Sequence, residues 1–95
     1  MPMSTLLVYA RALANTALVF EFSEDSQVDP DLAIQSLEQM ASDLQRLSPD
    51  DQRALTEAFR NLSSDYAHPA HAAFVAGLGG SLGLAGGEWD LTDRE

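Results

Sequence analysis

Two amphipathic helices joined by a proline turn are the feature that most constrains the fold of this chain. In the first helix, apolar residues recur at spacings of four and three: Ala33, Leu37, Met40, Leu44 and Leu47. The second helix repeats that spacing with Leu55, Phe59, Leu62 and Tyr66. This period places one apolar stripe on each helix. Because the turn at residues 47–50 is short, we expect the two stripes to face each other, with residues 29–66 as the scaffold of the fold.

The starts of both helices follow the same pattern. Asp29 and Ser48 supply side-chain oxygens for free backbone N–H groups, a proline follows each, and acidic residues occupy the first turns. The predicted helices therefore span residues 30–47 and 49–66. On the outer face of the second, acidic and basic residues alternate at spacings of three and four: Asp50, Arg53, Glu57 and Arg60. We expect that row to be solvated and self-neutralised rather than a partner surface.

A third long helix is predicted over residues 4–22, with Ser4 as its N-cap. Its apolar residues cover so much of its circumference that it should lie centrally in a helical bundle or pack on a second chain. Residues 16–22 also suit a strand, since aromatic and β-branched residues gather there. No second strand is evident to pair with them, so the helix is preferred.

The remaining residues predict a short fourth helix and a glycine-rich tail. The helix covers residues 69–78 with Phe74, Val75 and Leu78 inward, and Gly79 and Gly80 should end it in a left-handed cap. The tail then spans residues 79–95. The predicted fold is thus all-α: one domain over residues 1–95, an antiparallel bundle of three long helices plus the short fourth helix and the tail.

Charge restricts the partners of the chain. Fifteen acidic residues stand against five arginines, with no lysine and a formal net charge of -10. Such a surface repels nucleic-acid phosphates and anionic membranes, and it attracts basic proteins. The alternative is that the charge only keeps a small domain soluble. Residues 6–22 are largely apolar, but Arg11 and Glu21 interrupt them and no basic region precedes them. We therefore expect a cytoplasmic protein.

Motifs for catalysis or cofactor binding are weak. The glycine stretch lacks the third glycine of a dinucleotide loop, and a nucleoside-triphosphate loop needs a lysine. Asp65, His68 and His71 have metal-ligand spacing, but Pro69 interrupts the helix that would align them. His68 as a helix cap and a half-exposed His71 are the expected alternative. There is no cysteine nucleophile. We expect no catalytic site, no metal and no cofactor.

Two acidic clusters are the predicted partner-binding residues. The first surrounds the linker at residues 23–28, and the second lies in the tail next to the only tryptophan. The full set is Glu21, Glu24, Asp25, Asp29, Asp31, Glu88, Trp89 and Asp90. Trp89 either folds back onto the helices or remains free to anchor a partner, as tryptophan does at many binding hot spots.

In its size, helical pattern, lack of cysteine and acidic clusters at residues 21–31 and 88–95, the chain resembles bacterial immunity proteins. These are small cognate inhibitors that bind and block a toxin, often through an acidic surface facing a basic active site. The resemblance extends over the whole chain but includes no family motif, so it assigns no residue role. It implies a non-catalytic protein that neutralises a basic partner. A small antitoxin is an alternative, and so is a homodimeric helical adaptor or regulatory module whose first helix and central pair pack across a two-fold axis.

Overall fold

The computed structural model describes residues 2–24 and 26–87, and every regular element within them is a helix. The predicted all-α class is therefore confirmed, and the strand interpretation of residues 16–22 is wrong. The helices are α1 (Met3–Phe22), α2 (Pro30–Leu44), α3 (Pro49–Leu62), α4 (Pro69–Ala76) and α5 (Leu78–Ser81). A single 3-10 turn, Ser63–Asp65, follows α3.

Side-chain caps begin three of the helices as predicted. The Asp29 carboxylate accepts from the backbone N–H of Asp31 at 2.9 Å, and the Ser48 hydroxyl accepts from Asp51 at 3.1 Å. His68 Nδ1 accepts from the backbone N–H of Ala70 at 3.1 Å at the start of α4. These contacts satisfy N–H groups that a helix leaves free at its first turn.

The predicted N-cap of α1 is wrong. The helix begins at Met3 rather than after Ser4, and Pro2 precedes it without a side-chain cap. The reason is that the carbonyl of Pro2 already accepts from the backbone N–H of Leu6 at 3.0 Å, which closes the first turn two residues early.

The second helix ends earlier than predicted, at Leu44 instead of residue 47. The cause is a side chain from the next helix. The Gln52 amide donates to the carbonyls of Gln45 and Leu47 at 3.0 and 2.8 Å, and so satisfies two acceptors that the helix would otherwise leave free. The chain can therefore turn there, and Leu47 is 40% exposed instead of lying in the core.

The glycine-rich segment differs from the prediction in its helix bounds and in the glycines that have positive φ angles. The expected helix 69–78 ends at Ala76, and α5 then includes Gly79 and Gly80, so the predicted left-handed cap at those two residues is wrong. The positive φ angles belong instead to Gly83 (72°) and Gly86 (92°). The predicted tail therefore begins with a helical turn, and Leu82 and Leu84 beyond it are buried.

The core is built around the contact between α1 and α3, the most extensive contact between two elements. Three residues of α1 are fully buried, and all are alanine: Ala10, Ala14 and Ala17. Their small side chains let a second helix approach closely. Leu55, Phe59 and Leu62 of the predicted stripe are buried in the same cluster, whereas Tyr66 is half-buried and lies beyond the end of α3 at Leu62. The cluster is completed by Val75, Leu78, Leu82 and Leu84.

The expected face-to-face packing of the two central helices is not what the structure has. α2 packs mainly on α1 and has Ala33 as its one buried residue, whereas α3 packs on α1, α4 and α5. The physical reason is the broad apolar circumference of α1, which offers one face to α2 and another to α3. The stripes of α2 and α3 therefore meet α1 instead of each other.

A row of polar side chains on α3 fastens the segment after α5. Gln52 Oε1 accepts from the backbone N–H of Ala85 at 2.9 Å, and the Thr56 hydroxyl donates to the Ala85 carbonyl at 3.0 Å. Arg60 donates to the Gly86 carbonyl at 2.9 Å. Since these three residues are four apart, they lie along one side of α3. We call them the α3 ladder.

Gly79→Ala tests the contact between α5 and the α3 ladder. A Cβ at Gly79 would lie 2.5 Å from Thr56 Oγ1 and 2.6 Å from Thr56 Cγ2, so Thr56 would have to shift. We expect the free energy of unfolding in urea to fall by about 1–3 kcal/mol, as for other overpacked cores.

The matched control is Gly77→Ala, two residues earlier. A Cβ there has only the Ala73 carbonyl oxygen nearby, at 3.6 Å, and the position is exposed. This variant should be as stable as the parent or slightly more so. Equal losses of stability in both variants would contradict the contact between α5 and Thr56.

Candidate functional site

The group that most resembled a metal or catalytic site does not converge. The Asp65 carboxylate lies 2.5 Å from an Arg11 guanidinium nitrogen, and His68 uses Nδ1 as a helix cap. The rings of His68 and His71 stack with centroids 4.4 Å apart, and the Phe22 ring centroid lies 4.8 Å from that of His71. Within residues 2–24 and 26–87, no group of three or more candidate ligands could hold a metal ion.

A small polar cluster instead joins α1 to the segment after α3. Beside the Arg11–Asp65 ion pair, the Tyr66 hydroxyl donates to Asn15 Oδ1 at 2.6 Å. Burial raises the pKa of the Tyr66 phenol above its ordinary value. The nearby Arg11 cation opposes this rise in pKa, and the Asp65 carboxylate adds to it. The cluster therefore links α1 to the segment after α3.

The structure places four of the predicted partner-binding residues. Glu21 lies at the end of α1, Glu24 in the following loop, and Asp29 and Asp31 at the start of α2; all four are exposed. Asp29 also caps α2, so its carboxylate has a structural role as well. The other predicted residues lie outside the described part of the chain: Asp25, Glu88, Trp89 and Asp90.

The basic residues are distributed unevenly around these carboxylates. Three ion pairs join described side chains: Arg11–Asp65, Arg53–Asp50 and Arg60–Glu57. Between Arg11 and Arg46, however, the sequence contains no basic residue and seven acidic ones: Glu21, Glu24, Asp25, Asp29, Asp31, Glu38 and Asp43. The end of α1, the linker and α2 thus form an acidic region without basic residues of its own.

A cleft opens between that region and the last two helices. Its volume is about 340 Å³, and four helices contribute to its walls. Its floor is mostly apolar, while Glu21 from α1 and Glu38 from α2 are its two carboxylates. We call it the α2–α5 cleft, and the residues that line it are Glu21, Leu37, Glu38, Ala41, Phe74, Leu78, Ser81 and Leu82.

A second cleft, of about 430 Å³, lies on the other side of α2 against α1. Asp43 is its one carboxylate, and Asp43 already accepts a hydrogen bond from Gln39 at 3.0 Å. It therefore offers less unpaired charge than the α2–α5 cleft. Both clefts exist because α2 is packed on little besides α1, which leaves Leu37 and Met40 half-buried.

Sequence reasoning missed Glu38 and the apolar floor of the cleft. Glu38 belongs to the polar side of α2 in the helical pattern, and its neighbour Leu37 belongs to the stripe. Because the two residues are consecutive, the boundary between the apolar and polar faces of α2 runs between them. What the helical pattern lacks is the position of Phe74 and Leu78, because those residues reach the site through tertiary packing.

The sequence and the structure were compared with those of known proteins. No protein-family model matches the chain, and neither a curated protein nor a solved structure matches it. One further property of α1 is that its 20 residues, with a hydropathy of 1.3, meet the length and composition of a membrane-spanning helix. Core helices of soluble proteins and signal sequences meet the same criteria.

The Tyr66 phenol predicts a dependence of stability on alkaline pH. Because its folded-state pKa is raised, the folded chain keeps this proton at a pH where the unfolded chain loses it. The contribution of this phenol to folding stability is present below the phenol pKa of the unfolded chain, about 10, and is lost as the pH rises above that pKa. We expect the free energy of unfolding to fall in that range, and to fall less steeply in Tyr66→Phe.

Urea unfolding of both proteins at several pH values measures this slope. Tyr9→Phe controls for the substitution itself, since Tyr9 is 56% exposed on α1. Tyr66→Phe also loses the bond to Asn15, so we expect it to be about 1 kcal/mol less stable at neutral pH. Identical alkaline slopes for the parent and Tyr66→Phe would contradict the raised pKa.

Proposed function

We propose that this protein is a non-catalytic acidic binding protein that neutralises a basic protein partner, in the role of an immunity protein that blocks a bacterial toxin. The observation that carries the proposal is the acidic region between Arg11 and Arg46, which has no basic residue and borders an apolar cleft. The proposal includes a cytoplasmic location and a single domain in which α1, α2 and α3 form an antiparallel bundle.

Electrostatics support a basic partner. A cluster of carboxylates without internal cations attracts positively charged proteins over a distance set by the salt concentration, about 10 Å at 0.1 M. It also orients them, which increases the association rate. In contrast, the outer row of α3 pairs its own charges at 2.8 Å (Arg53–Asp50) and 3.8 Å (Arg60–Glu57). That face therefore contributes little to attraction.

The non-catalytic part of the proposal is supported by how the chemically reactive side chains are used. Of the two histidines, His68 caps α4 with Nδ1, and the His71 ring contacts the rings of Phe22 and His68. Asp65 is paired with Arg11. A general acid and base need environments that separate their pKa values. Asp65, His68 and His71, which have metal-ligand spacing in the sequence, make structural contacts.

A homodimeric adaptor is the second candidate function, and one observation favours it. Three apolar residues on the outward side of α1 are exposed: Val8 by 67%, Tyr9 by 56% and Val19 by 53%. A helix of this composition with an uncovered apolar face is a common surface for a second chain. The acidic-inhibitor proposal does not require this face.

Charge removal in the acidic region tests the proposed function. The triple variant Glu21→Gln, Glu24→Gln, Asp31→Asn spares the Asp29 cap. The binding partners to be tested are the products of the two adjacent reading frames. We expect stopped-flow association at low salt to slow about tenfold and to become less sensitive to salt, because steering is lost.

The matched control removes three charges elsewhere: Asp50→Asn, Asp51→Asn, Glu57→Gln on α3. It changes the net charge by the same amount, but arginines already pair Asp50 and Glu57, and Asp51 lies next to Asp50 in the first turn of α3. We expect a clearly smaller effect on association. Equal effects from both variants would contradict a localised acidic surface, and lack of binding to either neighbouring product would contradict the immunity role.

Sedimentation equilibrium distinguishes the two candidate functions. We expect a monomer at high micromolar concentration, since inhibition of a toxin needs no second copy. A dimer that Val8→Glu dissociates would favour the adaptor instead. Ser64→Glu, on an exposed position of the 3-10 turn, adds the same charge and serves as the control.

A further inference from the structure

We propose that the α2–α5 cleft binds one apolar side chain of the basic partner, a tryptophan or leucine that arginine or lysine residues flank. This inference rests on the proposed function and deepens it, because it gives the chemistry of the partner segment and the place where it docks. The acidic region would bring the partner close, and the cleft would hold it.

The size and lining of the cleft fit a side chain rather than a whole helix. Its volume of about 340 Å³ is near the lower end of the range for ligand pockets, about 300–1,000 Å³. Its floor combines Leu37 and Ala41 from α2 with Phe74 from α4, all half-buried. An inserted apolar side chain would remove the remaining exposed surface of these residues from water.

The two carboxylates determine the charge of the occupant. Glu21 and Glu38 come from different helices, both are exposed, and no basic residue lines the cleft. A guanidinium beside the inserted side chain can form paired hydrogen bonds with such a carboxylate. The apolar floor and the acidic rim of the cleft therefore favour an apolar residue with basic neighbours. Tryptophan and arginine are also enriched at binding hot spots.

The same charge argument disfavours two other occupants. Trp89 of this chain is an apolar candidate, but Glu88 and Asp90 flank it, and like charges beside Glu21 and Glu38 repel. A second copy of the chain would bring its own acidic residues to the rim. The basic partner is the occupant whose charge complements the site.

The probe for this inference is a synthetic peptide in which one tryptophan stands between two pairs of arginines. Two comparison peptides replace the tryptophan by alanine or the arginines by glutamine. Amide chemical shifts of the isotope-labelled full chain measure each affinity. We expect the shifts to concentrate on the residues that line the cleft, and the peptide without tryptophan to bind at least about tenfold more weakly, since a buried aromatic anchor is commonly worth more than that.

Ala41→Phe tests the cleft from the side of the protein by filling it. Its matched control is Ser36→Phe, the same added ring on the same helix but in the second cleft. Glu38→Gln removes a charge at an exposed position and adds no volume. This variant tests the cleft even if Ala41→Phe fails to fold. We expect Ala41→Phe to abolish the effect of the tryptophan, Glu38→Gln to weaken binding a few-fold, and Ser36→Phe to bind like the parent.

Several results would overturn the inference. They are equal affinity of the tryptophan and alanine peptides, unchanged binding by both Ala41→Phe and Glu38→Gln, and shifts confined to the outward face of α1.

Tighter peptide binding after truncation at Gly87 would assign the cleft to residues 88–95 of this chain instead. Salt-sensitive binding of both arginine peptides without a contribution from tryptophan would reject the cleft but keep the acidic-surface proposal. Absence of binding by every peptide would reject the cleft, while the stopped-flow experiment decides the proposed function independently.

Discussion

The close contact between α1 and α3 is the constraint on which the rest of the structure depends. Ala10, Ala14 and Ala17 have no exposed surface, and each contributes only a methyl group to the cluster that also contains the buried residues of α3. A larger side chain at any of them would push α3 outward, together with α4 and α5, which pack on it. The same closeness lets α1 serve several neighbours, because the rest of its apolar circumference stays available to α2 and α4.

The candidate site follows from a difference between its two walls. One wall is fixed: α5 contacts α3, Gly79 lies against Thr56, and the α3 ladder binds the backbone at Ala85 and Gly86. The other wall is α2, which packs mainly on α1 and has one buried residue, Ala33. Since α2 does not close onto α4 and α5, an apolar gap remains, and the acidic residues of α2 and of the end of α1 border it.

Local chemistry in the sequence predicts much of this fold. Capping residues locate three helix starts, and the apolar period identifies the buried stripe of α3, because both depend on residues within a turn or two. The pattern cannot say which element a stripe faces, and so the expected pairing of α2 with α3 was wrong. Glu38 was missed for the same reason: its place beside Phe74 and Leu78 depends on contacts between residues far apart in the sequence. The exposed positions of Glu21, Glu24, Asp29 and Asp31 could be predicted, because isolated charges rarely leave water.

The attachment of α2 through essentially one neighbour has a consequence for how such a protein can diversify. Substitutions on its outward and cleft-facing positions, such as Leu32, Ile34 or Glu38, remove few contacts on which folding depends. Under the proposed function, partner preference can therefore change through α2 while the α1–α3 contact keeps the chain folded. Selection for a new partner and selection for stability would then act on largely separate sets of residues, in a chain of only 95.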